Sequence, residues 1–168
     1  MVIPHKDKEF IVVNCAVITI SDTRTVDTDK SGQIIKNKLT KNSHNISYYD
    51  IIKDNSDQIK LSINDLSKRE TIDILILSGG TGISPRDNTF DVVDGLLDKE
   101  IPGFGEIFRY LSYQEIGSRA MISRAIAGIY NNKIIFSLPG SSNAVTLAME
   151  KLILPELNHL ITQLGIKK

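Results

Sequence analysis

The chain has no tryptophan, one cysteine, three histidines and only six arginines. A single cysteine excludes an intrachain disulfide. Cys15 lies inside the apolar run Ile11, Val12, Val13, Asn14, Cys15, Ala16, Val17, Ile18, which marks it as a buried thiol acting as a small hydrophobe. No histidine stands near it in sequence to activate it. His5, His44 and His159 lack metal-ligand spacing and read as surface residues. Charge of one sign is also lacking: 20 basic and 20 acidic residues leave a formal net charge of zero. That balance excludes a nucleic-acid protein working through a broad basic surface, and no block of like charge marks an interaction tail. No apolar run is long enough to span a membrane. Charges interrupt residues 1–9, so they do not make a signal peptide; they read as a leader, and the protein is expected in the cytoplasm. Repeats, linkers and low-complexity segments are missing too. What remains suits one compact domain over 1–168, ordinary in its 41% hydrophobic and 24% charged content and large enough to bury a core without staples.

The apolar patterning alternates between two periods. Residues 10–20 form a β-branched run that predicts a buried strand, ending in the polar loop Ser21, Asp22, Thr23, Arg24. A helix is predicted over 31–42, with Ile35 and Leu39 on one face, and a second strand over 46–52. Asn55 or Ser56 caps the next helix, whose Ile59, Ile63 and Leu66 follow helical spacing. A third strand over 72–77 is apolar at nearly every position, as in a parallel sheet covered on both faces. Helical patterns follow over 89–97 and 104–115, the latter with Phe104, Ile107, Phe108 and Leu111 on one face. Residues 125–130 and 133–138 read as two strands around the tight turn Asn131-Asn132. A helix with Val145, Ala148, Met149 and Leu152 comes next, and Pro155 marks the start of a last one. Strands alternating with helices predict an α/β fold, a three-layer α/β/α sandwich on a mainly parallel mixed sheet, with one antiparallel pairing from the hairpin. Ligands of such sheets bind at the carboxyl ends of strands, where the loops 21–24, 78–88 and 139–143 fall.

The longest of these loops reads Ser78, Gly79, Gly80, Thr81, Gly82, Ile83, Ser84, Pro85, Arg86, Asp87, Asn88, Thr89. Its glycines let successive backbone N–H groups turn inward as a concave nest for an anion. Thr81 and Ser84 add hydroxyls, and Arg86 a fork suited to phosphate. Asp87 accepts only, so it repels phosphate unless a metal lies between them, which points to Mg²⁺. The plain alternative is a strand-to-helix turn capped by Asn88. A dinucleotide fingerprint fails because Pro85 stands where glycine or alanine is required, and no Gly-Lys-Ser/Thr triplet of a P-loop exists. Pro139, Gly140, Ser141, Ser142 and Asn143 open a helix whose N-terminus presents N–H groups to an anion, or simply cap it through Ser141 or Ser142. Ser21 to Arg24 form a functional loop or an ordinary Asx or Ser turn. Asp54 follows the second strand, where helix-start electrostatics alone favour an acid. Arg119 and Arg124 flank Met121, Ile122 and Ser123, and surface pairing accounts for them equally well.

These residues resemble the MoaB/MogA family of molybdenum-cofactor biosynthesis proteins, over roughly residues 12–160. Gly79, Gly80, Thr81, Gly82, Pro85, Asp87 and Thr89 look like the family's central motif; residues 101–106 (Ile-Pro-Gly-Phe-Gly-Glu) and 139–141 look like further ones. Residues 108–117 and 123–128 are more similar to the MoaB branch. The resemblance implies a molybdopterin-binding domain and transfer of AMP from ATP to the terminal phosphate of molybdopterin, with release of pyrophosphate. Asp54 and Asp87 match the family's functional aspartates and are expected to be catalytic and to hold Mg²⁺. Ser21, Asp22, Arg24, Gly79, Gly80, Thr81, Gly82, Arg86, Ser123, Arg124, Pro139, Gly140 and Ser141 make up the expected substrate- and nucleotide-binding set. The resemblance further implies a homo-oligomer, trimer or hexamer, working beside other molybdenum-cofactor enzymes. A non-catalytic molybdopterin carrier and an oligomeric scaffold are the alternatives within the family. A small nicotinamide or flavin enzyme is the alternative outside it, and Pro85 counts against that.

Overall fold

The structure, a computed structural model, describes residues 10–166. The expected leader over 1–9, with His5, lies outside the described residues. In chain order the elements are β1 Asn14–Ile20, α1 Lys30–Lys41, β2 Asn45–Ile52, α2 Ser56–Ser67, β3 Ile74–Ser78, α3 Thr89–Asp94, β4 Lys99–Glu100 and α4 Pro102–Ile116. A 3₁₀ segment, Gly117–Ile122, leads to β5 Ile126–Tyr130 and β6 Lys133–Leu138. The chain then continues through α5 Ser142–Ala148, a π-helical turn Met149–Ile153 and α6 Leu154–Leu164.

One six-stranded sheet runs in the order β2-β1-β3-β6-β5-β4. β2, β1, β3 and β6 are parallel; β5 and β4 are antiparallel additions at one edge. Alternate residues of the central strands enter two separate cores, as a period of two requires. Val17, Ile74, Ile76, Ile134 and Phe136 pack with Ile35 and Leu39 of α1, Phe104 and Phe108 of α4, Val145 of α5 and Leu157 and Ile161 of α6. Ile18, Leu75, Leu77 and Ile135 pack with Ile59, Ile63 and Leu66 of α2 and Val93 of α3. The three-layer α/β/α arrangement expected from the sequence is thus observed. Cys15 is buried in the first core, as expected. No helix among the described residues is long and apolar enough to cross a membrane.

Helix starts follow capping chemistry. Asp29 accepts the Gly32 N–H (3.0 Å) at α1, Asn55 rather than Ser56 accepts the Gln58 N–H (3.0 Å) at α2, and Pro102 occupies the first turn of α4, where its missing N–H costs nothing. Asn131 and Asn132 both have positive φ, 48° and 58°, which the two-residue turn between β5 and β6 requires.

Several boundaries differ from the sequence reading. β1 begins at Asn14, not at residue 10, because Asn14 and Asp73 bracket the strand ends: the Asn14 N–H reaches the Asp73 carboxylate (2.7 Å), and the Asp73 N–H the Asn14 carbonyl (2.8 Å). Phe10 lies against His44 instead, ring centroids 5.4 Å apart. His44 is itself buried and its Nδ1 accepts the Val13 N–H (3.3 Å), so the surface placement expected for it is wrong: an apolar neighbour and one satisfied nitrogen make burial tolerable. α3 stops at Asp94 rather than 97, and β4 adds a second antiparallel pairing. Its two residues are charged and exposed, so no periodicity announces them. The chain also stays helical from α5 into α6. Pro155 has no N–H for the carbonyl four residues back, and the backbone widens into the π turn rather than breaking.

Candidate functional site

β1, β3 and β6 lie side by side and in parallel, and end at Ile20, Ser78 and Leu138. Beyond β1 the chain crosses toward β2; beyond β3 it turns the other way, so a crevice opens between their carboxyl ends. Gly79 sits in the crevice at φ +108°, donating to the Leu138 carbonyl (2.9 Å). Any side chain there would overlap the Ile20 carbonyl. A Cβ on Gly140 would lie 3.1 Å from the Gly79 Cα. Glycine at both positions is what lets the three loops touch.

The two aspartates close over this glycine loop. Asp54 Oδ1 accepts the Asn88 N–H (3.0 Å) and side-chain amide (3.2 Å). Asp87 Oδ2 accepts the Ser84 N–H (3.2 Å). A Cβ on Gly80, whose φ is +64°, would overlap both the Asp54 Oδ2 and the Thr89 hydroxyl, and one on Gly82 would come within 2.5 Å of Asp87 Oδ2. The Thr89 hydroxyl is buried and has no hydrogen-bond partner among the described residues. A buried polar atom left unpaired is unusual, and this one lies with the Asp54 Oδ2 against Gly80.

The arginines divide by task. Arg86 donates to Asp22 (2.7 Å); this bond, and next the Asp54 N–H on the same carboxylate (3.2 Å), hold the Asp22 carboxyl below its ordinary range. Arg24 reaches the Gly140 carbonyl (2.9 Å), the Ser31 hydroxyl and Asp29 (3.5 Å), tying loop 21–24 to the start of α5. The Ser21 hydroxyl accepts the Thr23 (3.3 Å) and Arg24 (3.2 Å) N–H groups, the Ser turn anticipated for this loop. Arg124 donates to the Thr81 (3.3 Å), Gly82 (2.6 Å) and Asp87 (3.3 Å) carbonyls and pairs with Asp91 (2.8 Å). Arg24 and Arg124 therefore serve as brackets that hold loops in place.

Two adjoining cavities result. The larger, about 510 Å³, is lined by Gly79, Gly80, Thr81, Gly82, Pro139 and Gly140, with Arg24, Arg119 and Ser123 on its walls. The smaller, about 290 Å³, is lined by Asp22, Asp54, Ser84 and Arg86. Ser21, Gly80 and Asp87 line both. Of the residues expected from the sequence, all but two meet at these cavities. The exceptions are Arg124, bonded behind the glycine loop, and Ser141, whose hydroxyl caps α5 by accepting the Ala144 N–H (3.2 Å).

One residue escaped the sequence reading, and two more were seen there without a role at the site. Asp29 is 1% exposed and accepts from Thr19 (2.6 Å), Tyr49 (2.8 Å), Ser31 (3.0 Å) and the Gly32 N–H. Burial pushes its carboxyl up, but these donors together outweigh burial and leave it below the ordinary range. The Tyr49 hydroxyl, half-buried and facing that carboxylate, is pushed up. An acid just ahead of a helical pattern was the available signal for Asp29. Thr89 was visible only as part of a motif. Arg119 carried no signal beyond its charge.

A family model described as "Probable molybdopterin binding domain" matches residues 16–159. The chain is 50% identical over 161 residues to Molybdenum cofactor biosynthesis protein B of Bacillus cereus, covering 95% of each chain. It is 53% identical over 155 residues to the protein of that name from Staphylococcus aureus strain COL, covering 90% of this chain and 92% of the other. Among solved structures, one of Molybdenum cofactor biosynthesis protein B superposes with a TM-score of 0.90 at 50% identity, covering 94% and 98% of the two chains. The tungsten cofactor synthesizing protein MoaB from Pyrococcus furiosus superposes with a TM-score of 0.81 at 36% identity, covering 90% and 96%. The chain therefore belongs to the molybdopterin-binding-domain family of molybdenum cofactor biosynthesis, among the homologues of its protein B.

Proposed function

We propose that this protein is a Mg²⁺- and ATP-dependent molybdopterin adenylyltransferase. The supporting observation is the pair of cavities that share Asp87, with Asp54 on one side and the Pro139–Gly140 turn on the other. Such a site accommodates two phosphate-bearing substrates whose reacting ends meet at one carboxylate. Two acceptor-only carboxylates at a phosphate nest suit Mg²⁺, which takes one or two carboxylates and completes its shell with substrate oxygens and water. The unpartnered Thr89 hydroxyl beside Asp54 fits the same hard, oxygen-rich donor set. Asp54 and Asp87 would hold the ion, which supplies charge neutralisation between the approaching phosphates.

In the transfer, an oxygen of the molybdopterin phosphate bonds to the α-phosphorus of ATP. The bond to the β-phosphate breaks, and pyrophosphate leaves with its electron pair. The attacking phosphate is largely ionised near neutral pH, so the site needs no strong general base. Positioning and charge neutralisation carry the rate. The N–H groups of Gly80, Thr81 and Gly82, which line the larger cavity, would face the anions; Arg24 and Arg124 keep the surrounding loops at fixed separation. The exposed apolar side chains Ile107, Tyr110, Tyr113 and Ile116 on α4 support the homo-oligomer that the resemblance implies.

The test is to combine purified protein, molybdopterin, ATP and Mg²⁺ and to measure pyrophosphate and adenylylated product. Asp87→Asn keeps an oxygen for the Ser84 N–H but loses the charge; turnover is expected to fall about 10²–10³-fold with the fold intact. An unchanged rate in that variant refutes the metal role. Bound molybdopterin without product in the wild type moves the protein to the carrier class.

A further inference from the structure

Arg119 and Ile122 both line the larger cavity. They sit three residues apart on the 3₁₀ segment Gly117–Ile122, where side chains at i and i+3 eclipse, so one edge of the segment faces the cavity. Arg119 is exposed there, and no hydrogen bond or ion pair ties it to another described residue. The other guanidinium on that wall, Arg24, is committed to Asp29, Ser31 and Gly140. Ser123 follows immediately. It lines the same cavity, and its hydroxyl is buried just beneath that wall with no partner among the described residues. The next residue, Arg124, is bonded to the Thr81 and Gly82 carbonyls, which anchors the segment against the glycine loop. A cation and an unpaired hydroxyl are thus held together at the cavity that the glycine loop also lines.

We propose that Arg119 and the Ser123 hydroxyl form an anion subsite that takes a phosphate group of one substrate, in the cavity shared with loop 79–82. This deepens the adenylyltransferase reading and rests on it. The guanidinium supplies charge-assisted donors and the hydroxyl a neutral one; the phosphate comes either from the nucleotide or from molybdopterin.

The experiment compares wild type, Arg119→Ala, Arg119→Lys and Ser123→Ala. Calorimetric titration with inorganic pyrophosphate and with Mg-ATP gives affinities, and turnover assays give separate KM values for ATP and molybdopterin. Circular dichroism confirms the fold of each variant. Arg119→Ala is expected to weaken pyrophosphate binding or raise one KM about ten-fold, with kcat changed less than about three-fold. Arg119→Lys should recover part of the loss, and Ser123→Ala should show a smaller loss. A change confined to pyrophosphate and ATP assigns the subsite to the nucleotide; one confined to molybdopterin assigns it to the pterin phosphate. Wild-type affinity and both KM values preserved in Arg119→Ala overturn the inference while leaving the adenylyltransferase reading intact. Pyrophosphate binding that depends on Arg119 in a protein that makes no adenylylated product sinks that reading and leaves the subsite standing.

Discussion

Replacing Asp29 by alanine leaves the Thr19, Ser31 and Tyr49 hydroxyls, the Gly32 N–H and the Arg24 guanidinium without the acceptor they share. Loss of the α1 cap costs about 1 kcal/mol, and each of the three hydroxyls left without its acceptor about 1 kcal/mol more. The Arg24 pair adds little, being 3.5 Å long with an arginine side chain 30% exposed. The sum is about 4 kcal/mol, a fall in Tm of roughly 8–16 °C for a domain of this size. Asp29→Asn retains one acceptor oxygen for Ser31 and Gly32, and its amide can donate to the Thr19 and Tyr49 hydroxyls, so about 1 kcal/mol is expected. Urea unfolding followed by circular dichroism measures both. A loss below about 1 kcal/mol for the alanine variant would refute the reading of Asp29 as the common support of β1, β2 and α1. The pH dependence checks the same point independently. The folded-state pKa of Asp29 is lowered, so the unfolded chain binds more protons in the window below the ordinary carboxylate value of 3.8. The Asp29 contribution is then fully present above that value and disappears as pH falls through the lowered one. Wild type should lose stability with acid in that range more steeply than Asp29→Asn.

Other substitutions probe the loops. Gly80→Ala places a methyl group at φ +64° against Asp54 and Thr89; the left-handed backbone alone costs about 1–2 kcal/mol, and displacement of Asp54 should reduce turnover beyond what the stability loss explains. Gly103→Ala is the control: nothing lies within 4 Å of its Cβ position in α4, and thermal melts should show a gain of roughly 0.5–1 kcal/mol. Asn132→Ala, in the β5–β6 turn at φ 58°, should lower stability by about 1 kcal/mol in urea titrations, with the pyrophosphate assay unaffected.

Most of the fold was legible because burial on both faces leaves a pattern along the chain. The apolar run at 74–77 and the spacing of Ile59, Ile63 and Leu66 report periods of two and 3.6 whatever the partner elements are. The Asn131-Asn132 turn is equally local, since it depends only on which residues tolerate positive φ. The glycine loop, Asp54 and Asp87 were legible through motif resemblance, with glycine demanded where backbones approach closely. β4 was not legible, because two charged residues acquire strand geometry only from pairing with β5. His44 was misplaced for a related reason: its burial depends on Phe10, 34 positions away in the chain, and on the Val13 N–H.

By itself the sequence determined a mainly parallel α/β sheet and the three loops at its carboxyl edge, since periodicity and turn chemistry are properties of short segments. Only the tertiary structure decided what each charged side chain does there. Arg24, Arg86, Arg119 and Arg124 are chemically identical, yet one braces α5, one holds Asp22, one stands at the larger cavity with no hydrogen bond or ion pair to another described residue and one pins the glycine loop. Their roles are set by which carbonyls and carboxylates lie within hydrogen-bond reach, and that depends on residues brought together from distant parts of the chain.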